Sequence, residues 1–169
     1  MIRPLETNYK GCRFRSRLEA RWAVFFDEMG IKWEYEFQGF DLGGIYYLPD
    51  FWLPTFGGGM WAEVKPETFT LMERWKAERL VVGSGRPLWL CVGVPDLRVY
   101  EIIELCSGKL YSTTGIPLYD QAESENRMFV SPEIENLDGS IPPDYWHGMG
   151  MHIQAIGKAR SARFDGDFA

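Results

Sequence analysis

The stretch IYYLPDFWLPTFGGGMWAEVK, residues 45–65, decides the fold, because it contains two β-forming runs separated by a glycine-rich turn. Residues 45–53 are rich in β-forming side chains, and Pro49 interrupts them, which indicates an edge strand or a bulge. Residues 55–59 predict a tight hairpin connection, and residues 60–64 predict the strand that follows it. We therefore expect two neighbouring antiparallel strands.

A helix and a strand precede this hairpin. Ser16 is a suitable N-cap, Gly30 is a suitable stop, and apolar side chains recur between them at helical spacing: Leu18, Trp22, Phe25, Phe26 and Met29. Residues 32–37 alternate polar with aromatic side chains, which is typical of a half-buried strand. The first dozen residues contain few apolar positions, so we expect them to form an arm that leads into the helix.

Downstream of the hairpin the pattern returns to a helix and a strand. Residues 67–82 carry apolar and basic side chains at helical intervals, and residues 88–94 are almost continuously apolar, as in a strand buried on both faces. Residues 99–105 fit a further strand or a short helix. Residues 107–151 predict an irregular extension with one strand around 128–130, and residues 152–163 predict a basic helix.

The order of these elements is helix, three strands, helix, strand, followed by a less regular C-terminal part. This order predicts the α/β class, with a mixed β-sheet flanked by helices. At 169 residues the chain has the length of a single domain, and we expect residues 1–169 to form one.

Composition restricts the class of protein. The formal net charge of −6 is weak evidence against nucleic-acid binding, because a carboxylate-rich metal site adds negative charge that a bound cation cancels. Cys12, Cys91 and Cys106 form no CxxC pair and favour a reducing compartment. There is no leader-like segment and no apolar run of about 20 residues. We therefore expect a cytoplasmic protein that does not contact a membrane.

Acidic and basic side chains fall at instructive places on the hairpin. Asp50 follows Pro49, and Glu63 and Lys65 flank Val64, so strand alternation directs the side chains of Glu63 and Lys65 to one face. If the two strands are antiparallel neighbours, Asp50 and Glu63 meet at one site. The alternatives are a turn role for Asp50 and a solvated strand face for Glu63 and Lys65.

This combination suits phosphodiester hydrolysis. Carboxylates hold hard divalent ions such as Mg²⁺ or Mn²⁺, which neutralise developing charge and lower the pKa of water. Asp50 and Glu63 offer the carboxylates, and the backbone carbonyl of Val64 is a further candidate ligand. Lys65 is then a candidate to hold or deprotonate the attacking water, or to stabilise the charged phosphate.

Pro49-Asp50, followed after residues 51–62 by Glu63-Val64-Lys65, resembles the motif of the PD-(D/E)xK nuclease superfamily. The order of elements over residues 14–95 is similar to the core of that superfamily, and the segments FRSRLEARWAVFF, YLPDFWLP and WAEVKP are similar to small nucleases of phage and prophage genomes. The resemblance implies a restriction-endonuclease-like core and a Mg²⁺- or Mn²⁺-dependent endonuclease. Its substrate is expected to be DNA, including branched or structured DNA, in the bacterial host cytoplasm if the chain is phage-encoded.

The resemblance also implies a catalytic Glu on the first core helix, a position that Glu19 fits. Glu19 lies near Ala23 and Phe26 on the helical wheel, inside the apolar arc, and so is a possible further metal ligand. Ser16 and Glu19 also match a capping box, in which the Glu side chain serves only the helix terminus. Both interpretations of Glu19 stay open.

Two groups of basic residues are candidates for nucleic-acid contact, with solvated helix faces as the alternative: Arg13, Arg15, Arg17 and Arg21, and Lys158, Arg160 and Arg163. His147 and His152 are not at a metal-binding spacing and receive no role. Two alternatives to an autonomous nuclease remain. One is a non-catalytic module that binds nucleic acid or protein, and the other is a subunit that cuts only as a homodimer or with a partner protein.

Overall fold

The computed structural model describes residues 4–54, 58–97, 100–117, 129–130 and 143–164. The elements in this part of the chain are β1 (Thr7–Tyr9), β2 (Cys12–Phe14), α1 (Arg17–Glu28), β3 (Glu34–Tyr35), β4 (Phe40–Asp41), β5 (Tyr46–Tyr47), β6 (Phe51–Leu53), β7 (Met60–Lys65), α2 (Leu71–Ser84), β8 (Leu88–Val92), β9 (Tyr100–Cys106), β10 (Lys109–Pro117), β11 (Phe129–Val130) and α3 (Pro143–Ser161).

The main sheet is mixed, with the strand order β11-β10-β9-β8-β7-β6-β3 in the described residues. β7 and β8 run parallel, and the other neighbours in this sheet are antiparallel. Ala62 on β7 lies opposite Phe51 on β6, which confirms that the two strands of the hairpin are antiparallel neighbours. β1 with β2, and β4 with β5, form two separate two-stranded sheets.

Alternation along the strands separates two apolar clusters, one on each face of the sheet. On one face, Phe51, Ala62 and Trp89 pack with residues of α1 and α3. On the other face, Trp61 and Leu90 pack with residues of α2. Helices therefore cover both faces of a mixed sheet, which confirms the predicted α/β class.

The two helices of the predicted core begin at side-chain caps. The Ser16 hydroxyl accepts a hydrogen bond from the Glu19 amide at the start of α1, and α1 ends before Gly30, whose φ is 70°. α2 begins at residue 71 rather than 67, because Thr70 and Glu73 form a reciprocal capping box. α2 ends at Gly85, which adopts the left-handed conformation.

Some boundaries in the first half differ from the prediction. Residues 45–53 do not form one strand: β5 and β6 are separated around Pro49, and β5 pairs with β4, which the sequence pattern did not predict. Only residues 34–35 of the predicted strand 32–37 pair. The expectation of an N-terminal arm is wrong, because β1 and β2 form a hairpin. Its turn residues, Lys10 and Gly11, both have positive φ, as a type I′ turn requires.

The prediction of irregular structure over 107–151 is wrong for part of that range. β9 and β10 form a regular hairpin around Ser107 and Gly108, which both have positive φ. Of the two possibilities for residues 99–105, a strand is confirmed over the described residues 100–105, and residues 109–117 form another strand. β11 confirms a strand at 129–130, and α3 begins at residue 143 instead of 152. The rest of the predicted extension, residues 118–128 and 131–142, lies outside the described residues.

Within the part of the chain that the structure describes, no helix combines the length and the apolar character that a membrane crossing requires.

Candidate active site

Asp50 and Glu63 meet where the pairing of β6 with β7 ends. Asp50 lies directly before β6, and its Oδ2 accepts a hydrogen bond from the Val64 amide at 2.7 Å. The Asp50 amide donates to Glu63 Oε2 at 3.3 Å. Asp50 is 5% exposed and Glu63 4%, so both carboxylates are buried. Because the pairing of β6 with β7 ends here, the Val64 amide donates to the Asp50 carboxylate instead of to a strand carbonyl.

The Val64 carbonyl faces the same edge of β7 as Asp50. Successive residues of a strand direct their backbone groups to opposite edges. The Lys65 carbonyl accepts a hydrogen bond from the Gly93 amide at 2.7 Å, on the side of β8. The backbone groups of Val64 therefore face the β6 side, where Asp50 already binds its amide. The predicted backbone ligand lies beside the two predicted carboxylates.

Lys65 lies on the face of β7 that α2 covers. Its Nζ is 2.7 Å from Glu63 Oε1 and 3.8 Å from Glu73 Oε1. Burial lowers the pKa of Lys65, but the charge of Glu63, its hydrogen bond to Lys65, and the charges of Asp50 and Glu73 outweigh burial, so the pKa is raised. These neighbours therefore favour the protonated ammonium form of Lys65.

The Asp50 carboxyl is in the opposite electrostatic situation. Burial raises its pKa well above the ordinary value, and the charges of Glu63 and Glu19 raise it further. The hydrogen bond from Val64 and the charge of Lys65 lower this pKa but do not compensate. The surroundings of Asp50 therefore disfavour a negative charge on its carboxyl group.

Arg15 approaches this carboxyl from the loop before α1. Its Nη2 is 3.5 Å from Asp50 Oδ1, and the same nitrogen pairs with the Glu36 carboxylate. The Arg15 side chain is 57% exposed, so it connects the buried site to solvent.

Glu19 serves the helix terminus and faces the site at once. Its Oε1 accepts a hydrogen bond from the Ser16 hydroxyl at 2.7 Å, and its Oε2 accepts from the Arg15 amide at 3.2 Å and from the Tyr35 hydroxyl. In an ordinary capping box the carboxylate would bind the Ser16 amide instead. The capping interpretation thus holds in a modified form and does not exclude the other.

These groups line one cavity of about 520 Å³, which we call the site cavity. Its walls consist of Pro4, Arg15, Glu19, Tyr46, Tyr47, Leu48, Asp50, Glu63, Val64, Lys65, Phe69, Glu73 and Lys76. In the described residues the lining contains four carboxylates and three cationic side chains. The structure therefore brings Glu19, Asp50, Glu63, Val64 and Lys65 together.

Of the basic residues singled out from the sequence, Arg15 lines the site cavity and the others do not. Arg21 donates to the Ala159 carbonyl at 2.9 Å, which ties α1 to α3. Among the other basic residues, Arg13 pairs with Glu6, Lys158 pairs with Glu28 at 2.6 Å, and Arg160 pairs with Asp96 at 3.2 Å. Arg17 is half-buried on α1, and Arg163 is exposed after α3.

The sequence pattern missed Tyr35, Tyr47, Glu73 and Lys76. Tyr47 hydrogen-bonds Glu63, and burial together with the charge of that carboxylate raises the pKa of Tyr47. Its place in the same aromatic run as Asp50 was an available signal. Glu73 and Lys76 reach the site cavity because α2 packs across the end of β7. No local sequence pattern predicts that contact.

The side chains of the site provide only some of the ligands that a hard divalent ion needs. Among the described residues, no three His, Cys, Asp or Glu side chains form a group that could hold a metal. Two carboxylates and a backbone carbonyl do fit the preference of Mg²⁺, which retains waters and substrate oxygens as its other ligands. A cation would also neutralise the repulsion that raises the pKa of Asp50.

Comparison of the chain with models of protein families, with curated proteins and with solved structures gives no match.

Proposed function

We propose that this chain is a Mg²⁺- or Mn²⁺-dependent endonuclease that hydrolyses DNA phosphodiesters. One observation carries the proposal: Asp50, Glu63 and Lys65 meet at the end of β7, inside a cavity that Glu19 also lines. The order α1, β3, β6, β7, α2, β8, with β7 parallel to β8, supports a restriction-endonuclease-like core.

Asp50, Glu63 and the Val64 carbonyl would hold the ion. When bound, it supplies Lewis-acid stabilisation of the charge that develops on the phosphate. The Val64 amide fixes the Asp50 carboxylate, and Lys65 fixes the Glu63 carboxylate, so both acids are oriented before any ligand arrives. Glu19, which also lines the site cavity, is a candidate for a further ligand.

Lys65 acts as a fixed cation in this proposal. Its raised pKa argues against proton abstraction near neutral pH, and its ammonium group is suited to donate hydrogen bonds to a phosphate oxygen or to the attacking water. Arg15 and Lys76, on the wall of the site cavity, are placed to contact neighbouring phosphates.

The compartment is also part of the proposal. Cys12, Cys91 and Cys106 are free thiols, which supports action in a reducing compartment such as a bacterial cytoplasm.

The test is cleavage of supercoiled plasmid and of branched DNA with Mg²⁺, with Mn²⁺ and with EDTA. We expect divalent-dependent cutting by the wild type and a rate at least about 100-fold lower for Asp50→Asn and Glu63→Gln. Asp41→Asn is the matched control, because Asp41 is exposed on β4 and outside the site cavity. Thermal unfolding of each variant verifies that it is folded.

Equal cutting by the wild type and Asp50→Asn would contradict the proposal. Calorimetry with Mn²⁺ then identifies the alternative: DNA binding without any Mn²⁺ binding is the behaviour of a non-catalytic module. Cutting that appears only at concentrations where the chain self-associates, or only with an added protein, is the behaviour of a subunit.

A further inference from the structure

A large aromatic side chain lies exposed in the wall of the site cavity. Tyr46 on β5 is 70% exposed, although its neighbour Tyr47 is turned inward to hydrogen-bond Glu63. Alternation along the strand accounts for the difference, because successive side chains leave opposite faces. Tyr46 nevertheless lines the site cavity together with the carboxylates, so its exposed ring is available to a ligand that enters there.

Gly39 seats this ring. A Cβ atom at Gly39 would overlap the hydroxyl and the ring carbons of Tyr46. The backbone of Gly39 does not require glycine, since Gly39 is not among the residues with positive φ. The absence of a side chain at residue 39 is explained by the position of the Tyr46 ring, which lies against the backbone there.

The site cavity is large enough to enclose part of an organic ligand. Its volume of about 520 Å³ lies within the roughly 300–1,000 Å³ of pockets that enclose organic ligands. Leu48 and Phe69 add apolar wall, and Arg15 and Lys76 add positive charge. An aromatic face, apolar walls and flanking cations are the features that bind single-stranded nucleic acid.

We propose that the site cavity takes an unpaired nucleotide of single-stranded DNA, with its base stacked on Tyr46. The inference rests on the proposed function, because it places this nucleotide next to the phosphate that is cut. Bases inside a duplex are already stacked on their neighbours and offer no free face. The substrate class is therefore DNA with a single-stranded segment, such as a flap or a gap.

The test measures binding without cleavage. All variants are made in an Asp50→Asn background, which also removes one negative charge from the cavity wall, and are assayed in EDTA at low salt. Fluorescence anisotropy compares a labelled single-stranded oligodeoxynucleotide with a blunt duplex of the same length. Tyr46→Phe keeps the ring, and Tyr111→Ala is the matched control, since Tyr111 is 47% exposed on β10, away from the site cavity.

We expect Tyr46→Ala to weaken single-strand binding about tenfold, which corresponds to about 1.4 kcal/mol, and to change duplex binding less than about twofold. Tyr46→Phe and Tyr111→Ala bind like the parent. Gly39→Ala weakens single-strand binding although the aromatic ring is still present, because the new methyl group displaces it.

Single-strand binding that is unchanged by Tyr46→Ala would overturn the inference, as would an equal loss for single strand and duplex. The two proposals fail separately. Binding that depends on Tyr46, together with a wild type that does not cut DNA, would support the stacking site and contradict the proposed nuclease activity. Cutting by a wild type whose DNA binding does not depend on Tyr46 would support the nuclease activity and contradict the stacking site.

Discussion

Replacing Asp50 by Asn is expected to stabilise the metal-free protein, and to do so more strongly as the pH rises. The Asn carbonyl oxygen can still accept the hydrogen bond from the Val64 amide, so the substitution preserves the contact that positions the side chain. It removes a buried negative charge that burial and the Glu63 and Glu19 carboxylates disfavour. The substitution that removes a proposed metal ligand is therefore expected to make the metal-free protein more stable.

The size of the effect follows from proton linkage. The pKa of Asp50 is raised in the folded state, so over the interval between its unfolded and folded pKa values the folded chain binds more protons than the unfolded chain. In that interval, from about pH 4 upward, this one group lowers the free energy of unfolding by up to about 1.4 kcal/mol per pH unit. For a chain of this length the melting temperature falls by about 3–6 °C per pH unit. Asp50→Asn abolishes this contribution.

Thermal unfolding in EDTA, followed by circular dichroism from pH 4 to pH 8, measures the difference between the wild type and Asp50→Asn. Asp41→Asn is the control, because it makes the same chemical change on an exposed strand. A difference in melting temperature that grows with pH for Asp50→Asn and stays near zero for Asp41→Asn supports the reasoning. The same difference at every pH, or a variant less stable than the wild type throughout, would refute it.

Three further outcomes are expected. Lys65→Met lowers the rate of DNA cleavage at least about 100-fold, because it removes the protonated group beside Glu63, and Lys65→Arg restores part of it in the same plasmid assay. Phe26→Ala lowers the free energy of unfolding by about 3–5 kcal/mol in urea titrations, because Phe26 is fully buried against Trp22 and Trp89. Lys158→Ala changes stability by less than about 1 kcal/mol and DNA affinity by less than twofold in anisotropy, because Lys158 forms an exposed pair with Glu28.

α1, α2 and the central strands were predictable because their signals are local. Ser16 and the apolar spacing that follows it determine where α1 begins and which face is buried. Residues 60–65 include the buried apolar positions Met60, Ala62 and Val64, and a glycine-rich segment precedes them in the sequence. β7 and its partner β6 were therefore recognisable together. In both cases the information needed lies within one turn or one strand of the element.

The strand pairs β1–β2, β4–β5 and β9–β10 were not predictable from the same signals. The β1–β2 and β9–β10 hairpins turn at Lys10–Gly11 and Ser107–Gly108, where a non-glycine residue adopts positive φ. Neither pair is an Asn-Gly or Asp-Gly dipeptide, the strongest short-range signal for such turns. β4 and β5 pair over only two residues each, too few for a periodic pattern to be read.

The candidate site divides along the same line. Asp50, Glu63 and Lys65 could be proposed from the sequence, because Asp50 directly precedes β6 and the other two lie on its neighbour β7. Tyr35 and Lys76 could not, since each reaches the site cavity or its carboxylates through packing between distant parts of the chain. Two of the basic residues considered for DNA contact also join helices: because α1 and α3 pack against each other, Arg21 donates to the Ala159 carbonyl and Lys158 pairs with Glu28. Contact of the basic residues with DNA stays a prediction.

The buried carboxylate of Asp50 is the strongest physical reason to expect that this site binds a ligand. Folding requires an acceptor for the Val64 amide, and an Asn side chain would supply it without a charge. A carboxylate in that place, buried beside Glu63 and facing Glu19, raises the free energy of the folded chain. Local choices that oppose stability are expected where a site must bind something, and a divalent cation is the ligand that would convert this repulsion into attraction. Stabilisation by Mn²⁺ that is present in the wild type and absent in Asp50→Asn is therefore the observation that would connect the strain of the site to its function.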